Sequence, residues 1–171
     1  MSAIKILQGR SAIVADDSRT AREIVVMALG SAQVNDVRQA ADGGIALRMI
    51  SERCPDFVIL DIEMPHDGIS TLGKIRAMPH PERATPVLIM TAHASLQHIA
   101  TARDAGANGI ITKPLSVDKI LSRVVALLVQ PRPFIEAPGY MGPDRRQRSD
   151  PGYSGPFRRA VDTTQRDVLV D

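Results

Sequence analysis

The sequence predicts a doubly wound α/β domain built on a five-stranded parallel sheet, followed by an irregular C-terminal tail. Three observations predict it. Over residues 11–130, five short apolar runs alternate with five longer amphipathic ones, the pattern of strands joined by helical crossovers. Several of those runs are continuous in Val, Ile, Leu and Phe, which suits strands covered on both faces. Asp16, Asp17, Asp61, Thr91 and Lys113 fall just past the ends of the runs, where open parallel sheets place their ligand crevice.

Taken in order, residues 12–15 form the first expected strand and end in Asp16-Asp17. Residues 19–29 show helical spacing through Ile24, Met27 and Ala28, and Gly30 stands where a C-terminal cap belongs. Residues 33–39 alternate as a short strand, and residues 42–53 return to helical spacing through Ile45, Leu47, Met49 and Ile50. Phe57-Val58-Ile59-Leu60 is an unbroken apolar run stopped by Asp61. A helix is expected over 68–78, then the run Val87-Leu88-Ile89-Met90 ending at Thr91. The helix over 95–105 closes on Gly106, the last strand spans 109–112, and the last helix spans 116–129 with Ser116 as its N-cap. Met27, Met49 and Met90 are expected in the core, Arg19 and Arg22 in solvent, and Cys54 half-buried as a small residue.

The chain has 171 residues, 44% of them hydrophobic and 23% charged, which are globular values. A net charge of +2 does not argue for a nucleic-acid binder. One cysteine excludes a disulfide framework and a cysteine-based zinc site, and His66, His80, His93 and His98 lack metal-ligand spacing. No stretch approaches a membrane span and no secretory signal is evident, so a cytoplasmic protein without membrane insertion is expected.

Three carboxylates converging at strand ends repel one another unless a cation joins them. Oxygen ligands of this kind suit Mg²⁺, which uses one or two carboxylates beside water and phosphate. Lys113 and Thr91 would complete a phosphoryl site, with Asp61 as the nucleophile because it ends the central run. Three other readings stand beside this one: strand-end polar residues without catalysis, the same fold without phosphorylation, and a haloacid-dehalogenase-type phosphatase. The phosphatase calls for an Asp-x-Asp motif that Asp16-Asp17 does not supply.

On these residues the chain resembles a CheY-like response-regulator receiver domain. The matching elements are Asp16-Asp17, Asp61 within Pro55-Asp56-Phe57-Val58-Ile59-Leu60-Asp61-Ile62-Glu63-Met64-Pro65, Thr91-Ala92 and Lys113-Pro114. The intervals of 44, 30 and 22 residues between Asp17, Asp61, Thr91 and Lys113 are also those of the family. The resemblance covers residues 9–130 and implies strand order 2-1-3-4-5. It implies Asp61 as phosphoacceptor from a sensor histidine kinase or histidine phosphotransfer protein. Mg²⁺ would sit on Asp16, Asp17, Asp61 and the backbone carbonyl of Glu63. Thr91 and Lys113 would stabilise the phosphoryl group, and a cis Lys113-Pro114 peptide is implied. Such a domain catalyses only its own phosphoryl transfer and dephosphorylation. Its output goes through a downstream target protein, by the fourth predicted helix, fifth strand and fifth helix. This sequence departs from the family in a loop at Met64–Gly68 that is one residue short, in Glu63 itself, and in Ile110 where many receivers carry an aromatic switch.

Residues 131–171 read differently. Between 132 and 159 there are six arginines against three acids, a local net of +3. Prolines at 131, 133, 138, 143, 151 and 156 and glycines at 139, 142, 152 and 155 forbid a long helix or a central strand. Gly139–Arg146 recurs 13 residues later as residues 152–159, in the frame G-Y-x-G-P-x-R-R. Such a segment is too short and too Pro/Gly-rich for a winged helix or helix-turn-helix, so DNA binding is not expected. Three readings of the tail stand side by side: a passive linker, a segment that docks on protein or nucleic acid, and a nucleotide site. Arg145, Arg146, Arg158 and Arg159 with Tyr140 and Tyr153 offer forks and stacking faces to a two-fold ligand. The arrangement is similar to CheY-like effectors whose arginine-rich extension binds cyclic di-GMP.

Overall fold

The computed structural model describes residues 3–65, 67–93 and 95–144. The five expected strands form, as β1 (Ser11–Ala15), β2 (Asp36–Ala40), β3 (Phe57–Asp61), β4 (Val87–Thr91) and β5 (Gly109–Thr112). All pairs are parallel, in the order β2-β1-β3-β4-β5. The central strands β3 and β4 are buried at every position, as their unbroken apolar sequences require, whereas edge strand β2 buries only Ala40.

Side chains alternate across the sheet into two cores. On one face Val14, Phe57, Ile59, Leu88 and Met90 pack against α2 (Arg19–Ser31) and α6 (Val117–Val129), which contribute Val25, Leu29, Ile120 and Val124. On the other, Ile13, Val58, Leu60 and Ile89 meet α3 (Gly43–Glu52), α4 (Gly68–Arg76) and α5 (Leu96–Asp104) through Ile50, Leu72, Ile75 and Ala102. Ser18, Asp42, Asp67, Ser95 and Ser116 each accept a backbone N–H at the start of a helix. Gly106, at φ 96°, ends α5 as expected, with the Ala107 N–H bonded to the Ala102 carbonyl.

Several expectations need correction. A further helix, α1 (Ala3–Leu7), packs on α6 and buries Leu7 completely. Gly30 does not cap α2. The helix runs on because Leu29 and Ala32 are both needed in the core, and Gln33 takes the left-handed position at φ 60°. Residues 33–35 close that helix end, so β2 starts at Asp36 rather than at residue 33. Met27 is 73% exposed rather than in the core, while Met90 is buried.

The irregular segment expected from residue 131 begins with order. Strands β6 (Phe134–Ala137) and β7 (Tyr140–Pro143) form an antiparallel hairpin. Its Pro138-Gly139 turn carries Gly139 at φ 78°, the value a type II turn asks of its third residue. Prolines that exclude a central strand are compatible with short strands lacking outer partners.

Candidate functional site

The carboxyl ends of β1 and β3 deliver Asp16 and Asp61 side by side, both fully buried. Asp17 follows at the surface, and carboxylate oxygens of all three lie within 4.8 Å of one another. The turn into α2 is held from both sides. The Ser18 N–H donates to Asp16 Oδ1 at 2.8 Å, and the Arg22 guanidinium donates to the Asp16 and Asp17 carbonyls at 2.6 and 3.3 Å. Arg22 is therefore not the solvent-facing residue expected from its helix position, whereas Arg19 is, paired with Glu23.

Lys113 reaches in from the end of β5 on a cis Lys113-Pro114 peptide. Its Nζ lies 2.9 Å from Asp16 Oδ2 and 3.0 Å from Asp61 Oδ1. Burial pushes the Asp61 carboxyl above its ordinary range. Lys113 pulls it back, and the Asp16 and Glu63 charges push it up again. For Lys113, burial opposes the charge, but the bonds and charges of Asp16 and Asp61 prevail and raise it. One ammonium among three carboxylates leaves a negative surplus, and buried Asp61 Oδ2 meets no hydrogen-bond donor. An orphaned buried carboxylate oxygen inside an all-oxygen cluster fits a hard divalent cation such as Mg²⁺.

Thr91 ends β4 and is buried. Its hydroxyl donates to the His93 carbonyl and accepts the His93 N–H, both at 3.0 Å. The His93 ring, 69% exposed, lies 2.6 Å from Glu63 Oε1, so the loops after β3 and β4 touch across the crevice. Gly68, at the start of α4, comes back hard against the end of β3. A Cβ on Gly68 would sit 2.0 Å from the Asp61 carbonyl oxygen, so only glycine fits. Ile110 is half-buried in β5, paired with Ile89.

Of the expected site residues, Asp16, Asp17, Asp61 and Lys113 come together, with Thr91 and Glu63 at the strand ends beside them. Sequence reasoning missed Gly68 as a steric requirement. It also missed Lys119, whose Nζ donates to Thr112 Oγ1 at 2.9 Å and to the Pro114 carbonyl, bracing the turn that carries Lys113. A lysine near the start of a helix has no local signal for that role. Tyr140 lies in β7 and donates its hydroxyl to the Pro143 carbonyl at 2.7 Å. Arg145, Arg146, Tyr153, Arg158 and Arg159, like His66, lie outside the described residues.

Residues 12–125 match the response regulator receiver domain family. The response regulator MprA of Mycobacterium avium is 34% identical over 126 residues, 73% of this chain and 54% of the relative. The chain thus spans about half the length of the curated relatives it matches. Among solved structures, the Vibrio cholerae chemotaxis response regulator CheY4 is 28% identical with a TM-score of 0.66, covering 70% of this chain and 98% of that one. The receiver domain of the Francisella response regulator 1452 is 30% identical with a TM-score of 0.62, covering 71% and 98%.

Proposed function

The chain belongs to the response regulator receiver family, and from that premise we propose that Asp61 accepts a phosphoryl group from a histidine kinase or phosphotransfer protein. The observation that carries the reading is Asp61 Oδ2: a buried carboxylate oxygen without a donor, at the centre of the acidic cluster. In the reaction a carboxylate oxygen of Asp61 attacks phosphorus, the phosphorus–nitrogen bond of the donor breaks, and the imidazole leaves with the bonding pair. The product is a mixed anhydride on Asp61.

Asp16, Asp17, Asp61 and the backbone carbonyl of Glu63 would hold Mg²⁺, which supplies charge neutralisation for the phosphoryl oxygens. Lys113, whose Nζ lies 2.9 Å from Asp16 Oδ2 and 3.0 Å from Asp61 Oδ1, would give a second positive charge. Thr91 would exchange its bonds to the His93 backbone for one to a phosphoryl oxygen. That exchange would free the loop that precedes α5. The family chemistry is that of a phosphoryl-accepting signalling domain.

We read the output as protein contact on the face of α5, β5 and α6, where Leu96 is 87% exposed and Ile99 is 36% exposed. With Ile110 in β5, signal travels through the Thr91–His93 loop rather than by an aromatic swing. The cyclic di-GMP reading of the tail has less to stand on, since Tyr140 of the first repeat spends its hydroxyl inside its own hairpin. Among the described residues no helix is long and apolar enough to cross a membrane.

The test is incubation with a small acyl-phosphate donor and Mg²⁺. The wild-type chain should take up one phosphoryl group and Asp61→Asn none. Equal uptake by both would overturn the assignment.

A further inference from the structure

The repeat in the C-terminal segment is not absorbed by the phosphoryl site, and its first copy is seen in use. The hairpin docks at the edge of the sheet opposite the crevice, in a groove between the end of α4 and the α5–β5 turn. The groove is built around Arg76, 5% exposed, whose five N–H groups are all engaged. Nε and Nη2 donate to the Gly106 carbonyl, Nη1 to the Arg83 and Thr85 carbonyls, and Nη2 also to Asn108 Oδ1. Phe134 of β6 lies over the guanidinium at 5.0 Å, and Glu136 pairs with Arg83 at 3.0 Å.

The closest approach is made by β7, and it is made between glycines. A Cβ on Gly142 would stand 2.7 Å from the Gly106 Cα and 2.7 Å from the Tyr140 hydroxyl. A Cβ on Gly106, which is also at φ 96°, would stand 2.6 Å from the Met141 carbonyl oxygen. Gly139 makes the turn at positive φ, and Tyr140 ties itself to the Pro143 carbonyl. The positions whose identity the docked form uses are thus Gly139, Tyr140 and Gly142, in the turn opened by Pro138.

Those are the positions the second copy retains. Pro151-Gly152-Tyr153-Ser154-Gly155-Pro156 repeats Pro138-Gly139-Tyr140-Met141-Gly142-Pro143 with one change, at the position of Met141. The residues that would replace β6, Gln147-Arg148-Ser149-Asp150, hold no counterpart of Phe134 or Glu136. Arg145-Arg146 and Arg158-Arg159 follow the two copies at the same spacing.

We propose that Pro-Gly-Tyr-x-Gly-Pro is a docking motif for the Arg76–Gly106 groove, and that residues 151–156 of the same chain are its second, weaker ligand. One groove and two motifs give the tail two registers, 13 residues apart. By that shared spacing the first register would carry Arg145-Arg146 next to the groove, and the second, which loops out residues 131–150, would carry Arg158-Arg159 there instead. The added loop costs little, because closure entropy grows only with the logarithm of length. Phe134 and Glu136 hold the first register as the resting one.

The test uses hydrogen exchange on the full chain. Gly142→Val blocks the first copy by bulk alone, since its backbone does not need a positive φ. In this variant the amides of residues 105–108 should keep protection within about threefold of wild type, and those of residues 152–155 should gain it. Gly155→Val alone should change nothing at the groove. Gly142→Val with Gly155→Val should lose groove protection by about tenfold or more. A synthetic peptide of residues 147–160 should restore protection to that double variant, and the same peptide with Gly155→Val should not. The proposal is overturned if Gly142→Val alone exposes the groove, or unfolds the chain, as far as the double variant does. It is also overturned if the double variant stays protected, or if retained protection in Gly142→Val depends on protein concentration, which would place the motif on another molecule.

Discussion

Buried charge sits at opposite edges of one sheet, and it is treated in opposite ways. At the carboxyl edge, Asp16 and Asp61 are fully buried and share a single Lys113 ammonium, leaving negative charge over and an oxygen of Asp61 without a donor. At the amino edge, Arg76 is nearly as buried and has no carboxylate among its hydrogen-bond partners, yet each of its donors is met by a neutral oxygen. Burial, opposed in part by Tyr140, brings the Arg76 guanidinium down to about 10, and it stays charged at neutral pH. The difference separates a site from a strut. A charge left incompletely paired is poised for a cation and an incoming anion, whereas a charge satisfied by dipoles on every side locks elements together.

The sharpest way to break this contrast is Arg76→Met. It removes every donor from the Gly106, Arg83 and Thr85 carbonyls at once and should cost about 3 kcal/mol or more in urea unfolding. Mg²⁺ affinity measured by calorimetry should stay within about twofold, because the two edges share no partners. A large loss of Mg²⁺ affinity would show the edges to be coupled.

Gly68→Ala strikes the other edge through backbone rather than charge. Its new Cβ meets the Asp61 carbonyl, so a destabilisation of about 1–3 kcal/mol is expected by thermal or urea unfolding. Phosphoryl uptake should fall with it, since the strand end that presents Asp61 must move. Phe134→Ala should cost about 1–2 kcal/mol, from lost packing and the lost ring face over Arg76. Phosphoryl uptake in that variant should be unchanged.

Asp61→Asn should act in the opposite direction. Without divalent metal, removing one of three clustered carboxylates should raise stability by roughly 1 kcal/mol at neutral pH. The wild-type Asp61 carboxyl is held above its ordinary value of 3.8, so its cost is present while it is ionised and is relieved as pH falls through the raised value toward 3.8. The advantage of Asp61→Asn over wild type should therefore shrink on acidification. Mg²⁺ should erase it by stabilising only the wild type.

Much of the crevice was legible because its parts are marked locally. An apolar run that stops at Asp61, or a helix opened by Ser116, is visible within a few residues. The same grammar read the C-terminal segment as irregular from residue 131, since Pro and Gly density describes what a segment cannot build and not what it can lean on. The hairpin forms because Gly106, far away in sequence, leaves room for Gly142. Gly30 misled for a related reason: a glycine is a good helix stop only where the core does not want another turn, and here Leu29 and Ala32 are both buried.

The sequence by itself determined the alternation of strands and helices, the placing of Asp16, Asp17, Asp61, Thr91 and Lys113 at strand ends, and the repeat in the tail. Each rests on periodicity, apolar runs or identity between short segments, all of which are properties of neighbouring residues. Only the tertiary structure decided that Arg22 holds the acidic turn, that Glu63 meets His93, and that Arg76 with Gly106 receives the first repeat. The first of these depends on how α2 starts relative to β1, and the others join side chains to partners 30 residues away. Such pairings are set by which elements the packed sheet brings together.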